Sequence, residues 1–235
     1  DITRIKKLEN IRKDFIANLS HELRTPVAVI RANSESLVDG ALDDKEIAQK
    51  FSNAILKNSE KLSYLLEDIL NLSTIESGEY NLELSENGVL DIFKNSINSV
   101  LSNHPDVKIT NNISSDVEVI CDIKALSQVI DNLIENSVKY GISKECNEIF
   151  INMKDQGSKV RFEIEDRGQG IPADQRERVF ERFFRIQNNN TSLKEGTGLG
   201  LSIVKNLVNL MGGSVGNEKA YPEGTIFWFT LNKKN

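Results

Sequence analysis

The sequence predicts an α+β chain in two parts, an N-terminal antiparallel helical hairpin over residues 1–76 and an α/β sandwich over residues 85–235, with a linker at 77–84 between them. Three observations lead there. Apolar residues recur at steps of three and four through the first part, the spacing of one helical face. Beyond residue 85 that spacing is interrupted by stretches of period two, which mark half-buried strands set among helices. A chain of 235 residues with 39% hydrophobic content is also long and apolar enough for two cores.

In the first helix, Ile16, Leu19, Leu23, Val27, Ile30 and Leu37 trace one face up to about Val38. Asp39-Gly40 breaks it. Asp43 or Asp44 can cap the next start, and Ile47, Phe51, Ile55, Leu62, Leu65, Ile69 and Leu72 form a second face of similar length. Two helices bury one seam, yet Ala54, Leu66 and Leu70 are further apolar positions. A second hairpin is the natural cover and gives a dimeric four-helix bundle; packing on the chain's own second part is the alternative. Between Ser73 and Ser85 helical periodicity is lost, with Gly78 as a stop. There follow a helix over Val89 to Leu101, alternating runs at Val107 to Ile113 and Val117 to Ile120, and a helix from Ile123 to Tyr140. Glu148 to Met153 and Lys159 to Glu165 read as an antiparallel hairpin, Gly200 to Met211 as a helix and Gly224 to Leu231 as a last strand. Helices on one face of a mixed sheet account for this order.

A net charge of −6 argues against a nucleic-acid partner, because an acidic chain repels phosphate backbones. Cys121 and Cys146 offer neither a disulfide framework nor a metal spacing, which fits a reducing compartment. No apolar run approaches the ~20 residues that span a bilayer, and no signal peptide opens the chain, so this piece reads as soluble. It begins within a helical pattern, Ile2, Ile5, Leu8, Ile11, without an N-cap, and an upstream segment is expected.

The chemistry of the first part sits in Ser20-His21-Glu22-Leu23-Arg24-Thr25-Pro26. A neutral imidazole can attack phosphorus without first losing a proton, since its unperturbed pKa is about 6.5. Glu22 can bond one ring nitrogen, leave the other free to attack and accept the proton as charge develops. Thr25 lies four residues after His21, on the same helical face. Pro26 removes a donor inside the helix, a loss of about 3 kcal/mol in propensity. A lone helical His is most often solvated or packed, but that reading offers no gain to set against the proline. At these residues the chain resembles the phospho-acceptor box of the sensor histidine kinases.

Four stretches of the second part carry ligand chemistry. Asn132, Asn136 and Tyr140 fall at steps of four on one helix, with Lys139 beside them. An amide oxygen suits an Mg²⁺ that keeps waters and borrows phosphate oxygens, and Lys139 can take a phosphate; solvated Asn side chains are the rival reading. Asp166-Arg167-Gly168-Gln169-Gly170 follows a strand, so Asp166 can accept from an exocyclic amine while the glycines permit close backbone approach. Val179 to Arg185 joins Phe180, Phe183 and Phe184 to Arg182 and Arg185, ahead of a polar segment, Gln187 to Glu195, that reads as a mobile lid. Gly196-Thr197-Gly198-Leu199-Gly200 opens a helix and presents backbone N–H groups to phosphates. No Gly-Lys-Ser/Thr follows, so this is not a Walker loop.

In this order the four stretches resemble the N, G1, F and G2 boxes of the Bergerat-type ATP-binding domain of histidine kinases, gyrase, heat-shock-ninety chaperones and mismatch-repair ATPases. The resemblance implies ATP and Mg²⁺ as ligands. In it Asn136 chelates the metal, Asn132 and Lys139 hold phosphates, Tyr140 flanks the nucleotide, Asp166 binds the adenine amine, and Arg185 contacts phosphate. Gly168, Gly170, Gly196, Thr197, Gly198, Leu199 and Gly200 shape the pocket and lid. Two departures are small: Ser137 stands where alanine is common, and Phe184 where tyrosine is frequent. In the ATPase relatives a glutamate occupies the position of Asn132 and activates water, whereas an amide cannot accept that proton, so the γ-phosphoryl group must meet another nucleophile, His21. The implied protein is the cytoplasmic portion of a membrane-anchored bacterial sensor. It would be a homodimer that phosphorylates His21, passes the phosphoryl group to a response-regulator receiver aspartate, and acts as a phosphatase on that regulator through Thr25. A nucleotide-hydrolysing machine and a scaffold without catalysis are the competing classes.

Overall fold

The structure is a computed structural model that describes residues 2–113, 117–142, 146–186 and 196–234, with the backbone alone for residues 2–12 and for Glu76. It divides into two compact units, Asp1–Ser73 and Thr74–Asn235.

The first unit consists of α1 (Ile2–Val38) and most of α2 (Lys45–Ser77). Gly40 turns the chain at φ 116°, a backbone region that only glycine adopts readily. Asp44, rather than Asp43, caps α2: its Oδ1 accepts the Glu46 and Ile47 amides at 3.0 and 3.1 Å. Helix α1 continues through Pro26, which is buried. Helix α2 runs on to Ser77, past the point where its apolar spacing fades, because Thr74-Ile75-Glu76-Ser77 contains no helix breaker. Gly78 ends it at φ 75°, where the Glu79 and Tyr80 amides both donate to the Thr74 carbonyl at 3.1 and 3.0 Å. Leu65 and Leu72 are buried within this unit, while Ile16, Leu56, Leu66 and Leu70 are each more than half exposed.

In the second unit a five-stranded sheet carries three helices on one face. Its strands are β2 (Lys108–Asn111), β4 (Glu148–Asp155), β5 (Lys159–Glu165), β7 (Thr225–Asn232) and β6 (Ser214–Lys219), in that spatial order; β2 and β4 are parallel and the other pairs antiparallel. A separate ribbon pairs β1 (Ser85–Gly88) with β3 (Glu118–Cys121). The helices are α3 (Val89–Asn103), α4 (Ile123–Tyr140) and α5 (Gly200–Leu210), with α4 packed between the other two. Along β4 the alternation is regular: Ile149 and Ile151 are buried, Phe150 and Asn152 are not. The core between helices and sheet is centred on Phe162, whose ring lies 5.2 Å from Phe93 and 5.1 Å from Phe229. Strands β1 and β6 have no counterpart in the sequence reading; their residues, Ser-Glu-Asn-Gly and Ser-Val-Gly-Asn-Glu-Lys, carry little strand propensity of their own, and pairing with β3 and β7 makes them strands.

Candidate active site

Helix α4 organises the site. Its start is fixed by Asp122, whose Oδ1 accepts the Ala125 amide at 2.9 Å while its Oδ2 accepts the Glu83 amide at 2.9 Å, so one carboxylate caps the helix and holds the incoming segment. Leu126, Val129, Ile130, Leu133 and Ile134 bury the opposite face. That fixes the rotation of the helix and leaves Asn132 and Asn136 half-buried and Lys139 and Tyr140 exposed along one edge.

Two of the other stretches meet α4 at successive turns, and the third is joined to them through Gly198. A Cβ on Gly200 would stand 2.6 Å from Asn132 Oδ1, so the first residue of α5 abuts that amide, which in turn donates from Nδ2 to the Gln128 carbonyl at 2.9 Å. A Cβ on Gly196 would stand 3.1 Å from the Tyr140 hydroxyl. A Cβ on Gly168 would stand 2.6 Å from the Tyr140 carbonyl oxygen and 2.7 Å from Gly141 Cα. Thr197 Oγ1 accepts the Leu199 amide at 3.2 Å and shapes the turn ahead of α5, with Leu199 buried beneath it. Gly198 adopts φ 71°, and its carbonyl accepts the Phe183 amide at 2.9 Å, so the aromatic stretch and the glycine turn are joined through the backbone. Phe183 is itself at φ 59°, the only non-glycine residue with positive φ among the described residues. Arg185 is half-buried just ahead of Gln187 to Glu195, the segment read as a lid, which lies outside the described residues. Lys139 bonds Glu135 at 2.8 Å in an exposed pair that costs little to exchange for a phosphate.

Asp166 is 3% exposed and accepts two amides, Gly168 at 3.0 Å and Thr225 at 3.2 Å, both on Oδ1. Burial pushes its carboxyl above the usual range in spite of those two donors and of the Arg167 charge, which oppose it, with a smaller upward contribution from Glu165. Three residues that hold Asp166 are missing from the sequence reading: Gly141, Gly224 and Thr225. A Cβ on Gly141 would stand 2.3 Å from Asp166 Cβ, and one on Gly224 2.0 Å from the Asp166 carbonyl oxygen. A glycine directly after a helix and a Gly-Thr pair ahead of a strand are visible in the sequence, but the closeness of approach that requires them is not. Gly141→Ala is expected to displace Asp166, lowering nucleotide affinity at least about 10-fold and stability by about 1–3 kcal/mol; calorimetric titration with ADP and thermal melting check both.

In the first unit His21 is exposed and Glu22 half-buried, and the Thr25 hydroxyl donates to the His21 carbonyl at 3.4 Å. His21 thus lies on a solvent-facing helix in one unit, and the glycine-rich stretches that gather at α4 lie in the other.

Comparison with known proteins is consistent across both units. The His Kinase A (phospho-acceptor) domain model matches residues 11–78, and the model of the histidine kinase-, DNA gyrase B- and HSP90-like ATPases matches residues 121–235. The chain belongs to the sensor histidine kinases. Sensor histidine kinase WalK of Bacillus subtilis (strain 168) is 32% identical over 236 residues, which cover 100% of this chain and 39% of WalK. Histidine kinase ThkA in complex with response regulator protein TrrA superposes with a TM-score of 0.72 at 23% identity, over 97% of this chain and 64% of that one. Full-length ShkA in complex with AMPPNP gives 0.65 at 26% identity, over 94% and 46%. The histidine kinase fold is therefore present in both units, while the chain spans well under half the length of its Bacillus relative.

Proposed function

We propose that this histidine kinase core binds ATP with Mg²⁺ along α4, transfers the γ-phosphoryl group to His21 in a homodimer, and passes it to an aspartate of a response regulator. The observation that carries the nucleotide part is the convergence of Gly200 on Asn132, Gly196 on Tyr140 and Gly168 on Gly141, three close approaches where a side chain would displace its neighbour, at Gly168 against backbone. In this reading Asp166 Oδ2, the oxygen not used by Gly168 and Thr225, accepts the adenine amine. Asn136 is a neutral amide flanked by Asn132 and Lys139, a donor set that fits Mg²⁺ sharing its oxygens with phosphates and water. Among the described residues no group of three His, Cys, Asp or Glu side chains gathers to hold a metal by itself. When bound, the cation neutralises charge developing on the phosphates.

The chain's own residues supply the transfer. A ring nitrogen of His21 forms a bond to the γ-phosphorus as the bond to the β,γ-bridging oxygen breaks and ADP departs, and Glu22 takes the ring proton. Exposure of His21 leaves it open to a second domain. Ile16, Leu56, Leu66 and Leu70, exposed on the hairpin, are what a partner hairpin would bury in a dimer. No helix among the described residues is long and apolar enough to cross a membrane; we read this chain as the portion of a sensor that meets ATP and regulator on the cytoplasmic side. Incubation with γ-labelled ATP should leave an acid-labile, alkali-stable label on the chain, and absence of label contradicts the kinase reading.

The same helix supports a phosphatase reading. Thr25 sits one turn beyond His21, where its hydroxyl can orient a water against a phosphoaspartate docked over the histidine. Thr25→Ala is expected to keep autophosphorylation and transfer, and to slow dephosphorylation of the regulator roughly 10-fold. Decay of purified phosphorylated regulator with ADP present measures this; decay as fast as with the wild type removes Thr25 from that role.

A further inference from the structure

Helical serines in this chain have a common habit. Ser20, Ser34, Ser36, Ser59, Ser63 and Ser102 each donate to the carbonyl four residues back, at 2.8–3.1 Å. Ser137, in α4, breaks it. It is 0% exposed, and its Oγ is buried without a hydrogen-bond partner among the described residues. A buried hydroxyl left unpaired costs about 1–3 kcal/mol, and such a group in a folded chain calls for a partner that binds. Its position says which. Ser137 directly follows Asn136, and its carbonyl accepts the Gly141 amide at 2.7 Å. The Cβ position on Gly141 that lies 2.3 Å from Asp166 Cβ also lies 2.7 Å from the Ser137 carbonyl oxygen, so the backbone of Ser137 and the side chain of Asp166 approach Gly141 together.

We infer that the Ser137 hydroxyl reads the adenine ring, donating to ring nitrogen N1 directly or through one bound water, beside the exocyclic amine taken by Asp166. The assignment rests on the ATP-binding reading above and adds a base-specificity group to it. The chemistry is complementary: on the edge of adenine an amine donor stands next to a ring acceptor, and this part of the protein offers a carboxylate that accepts and an unpaired hydroxyl that can donate. A 6-oxo purine reverses both positions, and Asp166 then opposes an oxygen. Removing the hydroxyl has two opposite consequences. The nucleotide-free protein loses a buried unpaired group and gains a better helix former, while the nucleotide complex loses a bond.

The experiment is a cycle between one side chain and one ring atom, using the whole chain, ADP and 1-deaza-ADP, with dissociation constants from calorimetric titration. Wild type is expected to bind 1-deaza-ADP about 3- to 10-fold more weakly than ADP. Ser137→Ala should lose a similar factor for ADP, and the two proteins should bind 1-deaza-ADP alike. The melting temperature of nucleotide-free Ser137→Ala should equal or exceed that of wild type. Unchanged ADP affinity in Ser137→Ala, or losses that multiply when both groups are removed, overturns the assignment; so does a lower melting temperature accompanied by equal losses for the two nucleotides, which marks a structural role. If wild type binds no ADP at all, the ATP-binding reading itself fails, and the Ser137 assignment with it.

Discussion

Asn136→Ala is expected to abolish Mg²⁺-dependent labelling from γ-labelled ATP, a loss of at least about 100-fold. The amide lies halfway along the edge formed by Asn132 and Tyr140, and alanine there removes the oxygen that fits a hard cation without disturbing the buried face of α4. Helix propensity rises with alanine, so the fold is kept. The change lies in the second unit, and the mass of the assembly in solution should equal that of wild type. Labelling at close to the wild-type rate removes Asn136 from the metal.

The second large effect concerns Asp166. Asp166→Asn keeps the size of the side chain, and the Gly168 and Thr225 amides will hold its carbonyl oxygen where Oδ1 now sits. The amide nitrogen is then forced into the Oδ2 position, donor facing the adenine amine donor. Affinity for ATP should fall about 100-fold or more, because a buried polar group is left opposed rather than merely unpaired. A 6-oxo purine triphosphate should lose far less, since its oxygen accepts from the new amide. Competition binding with ATP and ITP on both proteins reads the difference, and an equal loss for the two nucleotides assigns Asp166 to the fold rather than to the base.

These two residues were legible in the sequence for a physical reason. Asn132, Asn136 and Tyr140 repeat at the helical period, so their common edge follows from spacing alone, and Asp166 stands between a strand and a glycine pair. The close approaches that hold the site were not legible. Gly141 and Gly224 are required because Asp166 passes within van der Waals distance of each, and that contact joins residues distant along the chain. Strands β1 and β6 escaped for the same reason, since weak local propensity was outweighed by pairing to β3 and β7. Gly216 in β6 shows how specific that pairing is: a Cβ there would stand 2.4 Å from the Trp228 ring. At α2 the stop at Gly78 was legible, although the apolar spacing fades before it. The apolar stripe ends near Leu72, but periodicity reports burial rather than helicity, and the helix persists to the first residue that stops it, Gly78.

The proposal that unites the two units is transfer of phosphorus from a nucleotide on α4 to the imidazole on α1. It is tested most directly by incubating wild-type protein and His21→Gln with γ-labelled ATP and Mg²⁺, alongside calorimetric titration of both with ADP. His21 is exposed, so glutamine leaves the folding of the hairpin unchanged. The expected result is acid-labile label on the wild type, none on His21→Gln, and equal ADP affinity in the two. Label of the same amount and stability on His21→Gln would contradict the assignment of His21 as the phosphoryl acceptor.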